Sequence, residues 1–301
     1  MVPQRRIDSL NISSEWAARI LAVLVVYEQD LQQVHAWPWL VAGLKNEGRA
    51  GIKLEHVLVY DNSQHPSANN VGAHEGCTYV HDCNNGGTAA AYSRAVAVAI
   101  DKGIDWLLLL DQDTHLPQDF LDAAAASLTR GSAERPAALV PWVVEREKVV
   151  SPARVTLLGT IRPLRRGSSI EHVHGLTAVA SGCLIRVATL QQILPFPREL
   201  WLDYVDHWMF ARLNLRGARI EVLDEVLRHR LSITTPTQLS RRRLNSILDG
   251  ESYFHGLLGP LARLIYPLRL LGRLARYALI SPKLAINLVR WMVDEDRSTM
   301  C

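Results

Sequence analysis

Cysteine is scarce. Four occur in 301 residues, Cys77, Cys83, Cys183 and Cys301, and no two form a CxxC pair. A chain of this length buries a sizeable core without disulfide staples, so reduced thiols in the cytosol are expected. The grouping of Cys77, His81 and Cys83 lacks the second ligand pair of a zinc finger, which excludes zinc. An apolar leader is also missing. "MVPQRRIDSLNISSEW" follows its arginines with polar residues, and no signal peptide is expected. A strong charge imbalance is absent: 33 basic against 30 acidic residues leave a net +3, too little to indicate nucleic acid as a partner. No uncharged run approaches the ~20 residues that a bilayer crossing needs. Acidic residues, finally, do not occur anywhere from Ser252 to Val293.

What is present is a series of short apolar runs separated by helical stretches. "ILAVLVVYEQD", "HVLVYDNS", "TYVHDCNNGG" and "DWLLLLDQD" read as strands of a buried parallel sheet. "TAAAYSRAVAVAIDKG" reads as an alanine-rich helix closed by Gly103, and the stretch around Pro38 as a helix broken there and resumed. Alternating strands and helices over the first part of the chain predict a doubly wound, Rossmann-like α/β sheet, flanked by helices, with ligands at the carboxyl ends of its strands. The polar stretch 145–175 predicts a hairpin or a mobile loop. Later segments predict a strand, a Ser181-Gly182 turn and a helix, then a helix from Asp203 to Gly217 and a strand leading to His229. The chain divides into residues 1–240 and a C-terminal helical segment 241–301.

The strand-end rule collects Tyr27, Asp61, Asn85-Gly86-Gly87, Asp111 and Asp113 on one rim. Asp111 and Asp113 flank Gln112, and alternate residues of an extended segment point the same way. Two such carboxylates suit a hard divalent cation, Mg²⁺ or Mn²⁺, which leaves positions open for phosphate oxygens. A plain surface turn would have the same composition. Asn85, Gly86 and Gly87 before a helix let backbone amides approach a phosphate, or else form a tight turn. Asp61 could bond a nucleobase or ribose, or serve as a turn residue with Asn62 and Ser63. Near the later helix start, one of Asp203 and Asp206 is accounted for as an N-cap; the other is a candidate general base. His229 is either a third metal ligand or structural. A haloacid-dehalogenase phosphatase is excluded, because its Asp-x-Asp lies near the N-terminus with Thr or Val two residues on, whereas this motif follows three strands and has His115 there.

The order of "VLVVYEQD", "VLVYDNSQ", "NNGGTAAAYSRA", "DWLLLLDQDT", "ASGCLIR", "WLDYVDHWMFARLNLRG" and "LRHRLS" resembles family 2 glycosyltransferases of the GT-A fold, most closely their rhamnosyltransferase-like branch. The resemblance covers about Leu21 to Ser232. It implies an inverting transfer from a nucleotide-sugar donor, dTDP-rhamnose for that branch, to a hydroxyl of a lipid-linked or surface glycan. Tyr27 and Asp61 then match nucleotide-contacting positions, Asp111 and Asp113 the metal and diphosphate motif, Asp206 the catalytic base, and His229 the late histidine near the metal. Asn85, Gly86 and Gly87 join the donor side; Asp203, Trp208 and Gly182 the acceptor side. Trp208 replaces the acidic residue usual two positions after the base, and its aromatic face would suit a sugar ring, or would mark lost activity. Ser93 and Ala95 replace the usual Asn and Gly. A non-catalytic nucleotide-sugar-binding or scaffold member of a glycan-assembly complex is the alternative.

Residues 252–293 mix leucines with Arg263, Arg269, Arg273, Arg276, Lys283 and Arg290. That basic amphipathic pattern suits an anionic membrane surface, which implies a peripheral protein on the cytoplasmic face. Helices packed on the catalytic domain or on a partner, with arginines outward, are the other expectation.

Overall fold

In a computed structural model the described residues are 18–46, 51–67, 71–130, 135–167, 174–228 and 239–294. Strand β1 (Ala18–Val26) is apolar at nearly every position and buried on both faces, as a central parallel strand must be. Parallel to it lie β2 (Ile52–Asp61) on one side, with β3 (Cys77–His81) beyond, and β4 (Trp106–Asp111) on the other. The registers pair Val26 with Asp61, Asp61 with His81, and Val25 with Asp111. The carboxyl ends of all four strands therefore finish almost level.

Past β4 the direction reverses. The three-residue β10 (Leu184–Arg186) runs antiparallel to both β4 and β5 (Ala138–Glu145), and β11 (Ile220–Arg228) pairs parallel with β5. The order is β11-β5-β10-β4-β1-β2-β3, with β6 (Lys148–Ser151) paired to β5. One core lies between the sheet and helices α2 (Gly87–Asp101), α4 (Val187–Gln191) and α5 (Val205–Leu215). The other contains buried residues of α1 (Ala36–Lys45) and α3 (Phe120–Thr129).

One expectation changes here, and of the two offered for the polar stretch 145–175 the hairpin is the one found, β7 pairing antiparallel with β8. Pro38 does not break its helix: it is the third residue of α1, inside the first turn, where its missing N–H has no intrahelical partner to lose. The polar stretch after β5 is built around strands: β6, β7 (Ala153–Val155) and β8 (Ile161–Pro163), with β7 joined to β9 (Leu176–Thr177) in a second small sheet. Residues 168–173 of that stretch lie outside the described residues.

The C-terminal segment forms α6 (Arg241–Leu258), α7 (Pro260–Ile280) and α8 (Pro282–Met292). Ser240 caps α6, its hydroxyl accepting from the Arg243 amide at 3.1 Å, and prolines open the next two helices. The three share a small core that includes Leu244, Leu248, Tyr266, Leu270 and Leu288. Among the described residues no helix is long and apolar enough to cross a membrane.

Candidate functional site at the carboxyl rim of the sheet

Strand β4 ends at Asp111, and the next residues leave the sheet in a turn that closes with the Thr114 amide donating to the Asp111 carbonyl at 3.1 Å. Asp113 is therefore placed by a turn, and the expectation that strand alternation aligns it with Asp111 is corrected. Two hydroxyls hold the turn. Thr114 Oγ1 and Ser181 Oγ accept from the Asp111 amide at 3.3 and 3.2 Å and contact each other. Gln112, between the carboxylates, accepts the Tyr27 amide on Oε1 at 2.7 Å. The β1 and β4 loops are thereby tied together, and Tyr27 stands 52% exposed beside the Asp111–Asp113 turn.

Both aspartates are half-buried, and their donor set is all oxygen. That chemistry fits a hard divalent cation which completes its shell from phosphate and water. Among the described residues no three His, Cys, Asp or Glu groups converge as a metal cage. His229, expected as a third ligand, lies outside the described residues.

Asp206 reaches the same region from the far side of the sequence. It sits half-buried in the first turn of α5, where the helix dipole favours a carboxylate, and its Oδ1 accepts the His207 amide at 2.7 Å. Tyr204, just before α5, adopts a left-handed backbone with φ 64°. Its ring packs on Gly250, Phe254 and His207, so packing against α6 holds the strained residue. His207 Nδ1 lies 2.8 Å from Thr177 Oγ1, which fixes α5 to β9. The Tyr92 phenol and the Cys183 thiol are buried in the core between the sheet and α2, α4 and α5. Burial pushes both pKa values well up, and the charges of Asp111 and Asp206 each add to the rise. Carboxylates separated widely in sequence thus act on one buried pair.

The remaining predicted site residues have other roles in the structure. Asp61 is fully buried, and its carboxylate is engaged by its own loop and by β3. Its Oδ1 accepts the Ser63 amide at 2.9 Å; its Oδ2 accepts the Ser67 amide, the Ser67 hydroxyl and the Tyr79 hydroxyl, at 2.8, 2.6 and 2.5 Å. Burial alone would raise this carboxyl, but those donors outweigh it and bring the pKa to about 2. Asp61 shapes the loop after β2. In the glycine turn the amides are already used: Gly86 donates to Asp82 at 2.9 Å and Gly87 to Asn62 at 3.1 Å. Asn85 has φ 52°, and a Cβ at Gly87 would come within 2.2 Å of the Trp201 carbonyl. Close packing of the 201 loop, rather than an open anion nest, accounts for these residues.

On the expected acceptor side, Trp208 is 5% exposed, set against Phe196 with the Arg212 guanidinium 5.9 Å from its ring. Its face is covered and does not offer a stacking surface. Arg212 Nε is buried without a hydrogen-bond partner among the described residues. Asp203 is buried and ion-paired with Arg243 at 2.9 Å; burial raises its pKa against the pull of that arginine. Gly182, at φ 81°, is buried where a Cβ would lie 2.0 Å from Leu227. Both are supports. Ser181, Thr114, Gln112 and Arg243 are supports of the site that sequence reasoning misses.

A mostly parallel sheet with one short antiparallel strand beside β4, and carboxylates gathered at the carboxyl rim, is the GT-A architecture. Solved structures bear the fold out. The chain is similar to S. aureus TarS 1-349 in complex with UDP-GlcNAc, at TM-score 0.51 and 17% identity, covering 90% of this chain and 79% of that one. It is similar also to GalNAc-T7 with UDP, GalNAc and Mn²⁺, at TM-score 0.52 and 13% identity over 79% of this chain and 50% of that one. A longer TarS structure, at TM-score 0.47 and 17% identity, aligns with 82% of this chain, which spans only 43% of it. No protein-family model matches the chain, and no characterised protein matches it by sequence.

Proposed function

We propose that this protein is an inverting glycosyltransferase that moves a sugar from a nucleotide-sugar donor to a hydroxyl of a glycan or lipid-linked glycan. The observation that carries the reading is the half-buried Asp111 at the carboxyl end of β4 together with the half-buried Asp206 in the first turn of α5. Asp206 takes the proton of the acceptor hydroxyl. The freed oxygen bonds to the anomeric carbon as that carbon's bond to the diphosphate oxygen breaks, and a nucleoside diphosphate leaves. Asp111 and Asp113 would hold a divalent cation, Mg²⁺ or Mn²⁺, which when bound offsets the diphosphate's charge. Tyr27, exposed beside that turn, contacts the nucleotide. The TarS and GalNAc-T7 folds, solved with UDP-GlcNAc and with UDP and Mn²⁺, support a donor and a cation of these classes. The sequence resemblance adds rhamnose from dTDP-rhamnose as the sugar and family 2 as the branch, and the basic amphipathic C-terminal pattern adds the inner membrane face as the location.

A second reading, a nucleotide-sugar-binding scaffold, is favoured by Trp208, whose buried ring stands where the family carries an acid. One experiment tests both. Binding and turnover are measured over a panel of nucleotide sugars, with and without Mn²⁺, for the wild type, Asp113→Ala and Asp206→Asn. The transferase reading requires one donor that binds with metal, weakens on Asp113→Ala, and turns over unless Asp206 is changed. Donor binding without turnover in any variant selects the scaffold, and no binding at all defeats both.

A further inference from the structure

The C-terminal helices sort their basic residues in a way that composition did not show. Arg273 faces inward, its guanidinium donating to buried Glu251 at 2.6 and 2.9 Å. Arg269 also faces inward, bonding Thr160 Oγ1 at 2.5 Å and lying 3.2 Å from His255 Nε2. Arg263, Arg276, Lys283 and Arg290 stay exposed. Between them lies an apolar row. Leu261, Leu264, Leu268 and Leu271 recur every three or four residues, and Ala275 and Leu279 continue the row, opposite the inward Ala262, Tyr266, Leu270 and Tyr277. Leu264 is 75% and Leu268 66% exposed. On α8, Ile286, Val289 and Met292 are exposed as well. Scattered exposed leucines are ordinary, but a continuous row with charges of one sign marks an interaction surface.

The tip of the β7–β8 hairpin belongs to the same region. Arg269 ties Thr160 to α7, and Gly159 lies so close to α6 that a Cβ there would come within 2.6 Å of His255 Nε2. Leu157 at this tip is 84% exposed and Leu158 is exposed too.

We propose that α7, α8 and the β7–β8 tip form a docking surface for a membrane rich in anionic phospholipid, the leucines entering the headgroup boundary and the outward cations meeting the phosphates. The sign of the charge selects this occupant. From Ser252 to Val293 there is no acid, and the acids of α6 turn inward, Glu251 to Arg273 and Asp249 to the Trp291 indole at 2.8 Å. A second copy of this face would set cations against cations, whereas an anionic bilayer neutralises them. The surface also adjoins the candidate base: Phe254, beside His255, packs on Tyr204 and His207, which flank Asp206 closely in sequence. Only the role of the membrane as the source of a lipid-linked acceptor rests on the glycosyltransferase reading; the docking itself does not.

Vesicle co-sedimentation of the full chain tests it, using phosphatidylcholine vesicles with and without phosphatidylglycerol. The wild type is expected on the phosphatidylglycerol vesicles, releasing as salt rises, and not on the neutral ones. Leu264→Asp with Leu268→Asp should weaken partition by about tenfold or more, and Arg263→Glu with Arg276→Glu by a similar factor. Leu157→Asp should cause a smaller loss. These side chains are exposed, so Tm and circular dichroism should not move. The proposal is overturned by absent wild-type binding, by equal binding to neutral vesicles, or by full retention in the leucine pair. A vesicle-free dimer that the leucine pair converts to monomer would assign the face to a second copy and overturn it too. Donor binding of the wild type reports separately: absent wild-type vesicle binding with intact donor binding defeats the docking alone, and wild-type vesicle binding without donor binding defeats the site reading alone.

Discussion

Leucine has opposite fates at the two ends of this chain. In β4, Leu107 to Leu110 are wholly buried beneath the candidate site, while in α7 Leu261, Leu264, Leu268 and Leu271 face outward. The runs look alike in hydropathy, and spacing separates them. Consecutive leucines in a strand project to both faces, and both faces of a central strand are covered by helices. Leucines three or four apart on a helix share one face, and that face is covered only if something packs on it. Apolar content alone therefore says nothing about burial; period and place in the fold do.

The comparison can be pushed hardest at the charged residues. Asp206→Asn keeps the shape of the rim and removes the proposed proton acceptor, so turnover with a matched donor and acceptor should drop by about 10²–10⁴ while donor affinity holds; nucleoside diphosphate release against donor titration measures both. In the helical segment the corresponding lesion is one of stability. Glu251→Ala leaves Arg273 inside without its partner and should cost about 3–5 kcal/mol, read from the urea midpoint. An equal loss from Glu251→Gln would sharpen this further, locating the effect in the charge rather than in the volume.

The same leucine truncation gives the most direct contrast. Leu108→Ala, in the sheet, should cost about 2–5 kcal/mol. Leu264→Ala, on the exposed row, should stay within about 0.5 kcal/mol. Equal losses would mean that α7 is covered in solution, and would break the comparison. The smallest effect is one of pH. Asp61 titrates at about 2 in the folded chain, below its ordinary 3.8. Its bonds to Ser63, Ser67 and Tyr79 therefore contribute about 2 kcal/mol that is present above pH 4 and is lost as pH falls toward 2. Asp61→Asn should flatten the acid limb of stability in that window, and a limb as steep as wild type would assign the loss to other carboxylates.

The sheet was legible because buried parallel strands announce themselves as short, unbroken apolar runs: "ILAVLVV" and "DWLLLLD" became β1 and β4 with their ends displaced by a few residues. Strand β10 was less so, since three residues carry no period and its antiparallel direction depends on where the chain returns. At the site, the sequence placed Asp111 at a strand end and Asp206 at a helix start, and the structure has them at the end of β4 and in the first turn of α5. Sequence reasoning failed for Trp208, because α5 is apolar nearly all round, with Val205, Trp208, Met209, Phe210 and Leu213 buried, and no spacing tells which aromatic is inside. It failed for Asp61 because a carboxylate that closes its own loop and one that binds a ligand have the same local sequence. The inward turn of Arg269 and Arg273 was equally hidden, as their partners Thr160 and Glu251 lie far away in the chain.

Residues 200–204 are gripped from both ends of the sequence. Trp201 closes over Gly87, its carbonyl takes the Ala89 amide at 3.1 Å, and Leu202 takes the Thr88 hydroxyl at 3.0 Å. From the other side, Arg242 lies 4.8 Å from the Trp201 ring and Arg243 pairs with Asp203. This bears on modularity. A crossover at residue 240, the boundary that composition marks, would separate Asp203 from Arg243 and Trp201 from Arg242. A recombinant with a relative's C-terminal helices sets foreign residues against Trp201 and Asp203, close in sequence to Asp206, so the two pieces are exchanged intact only together.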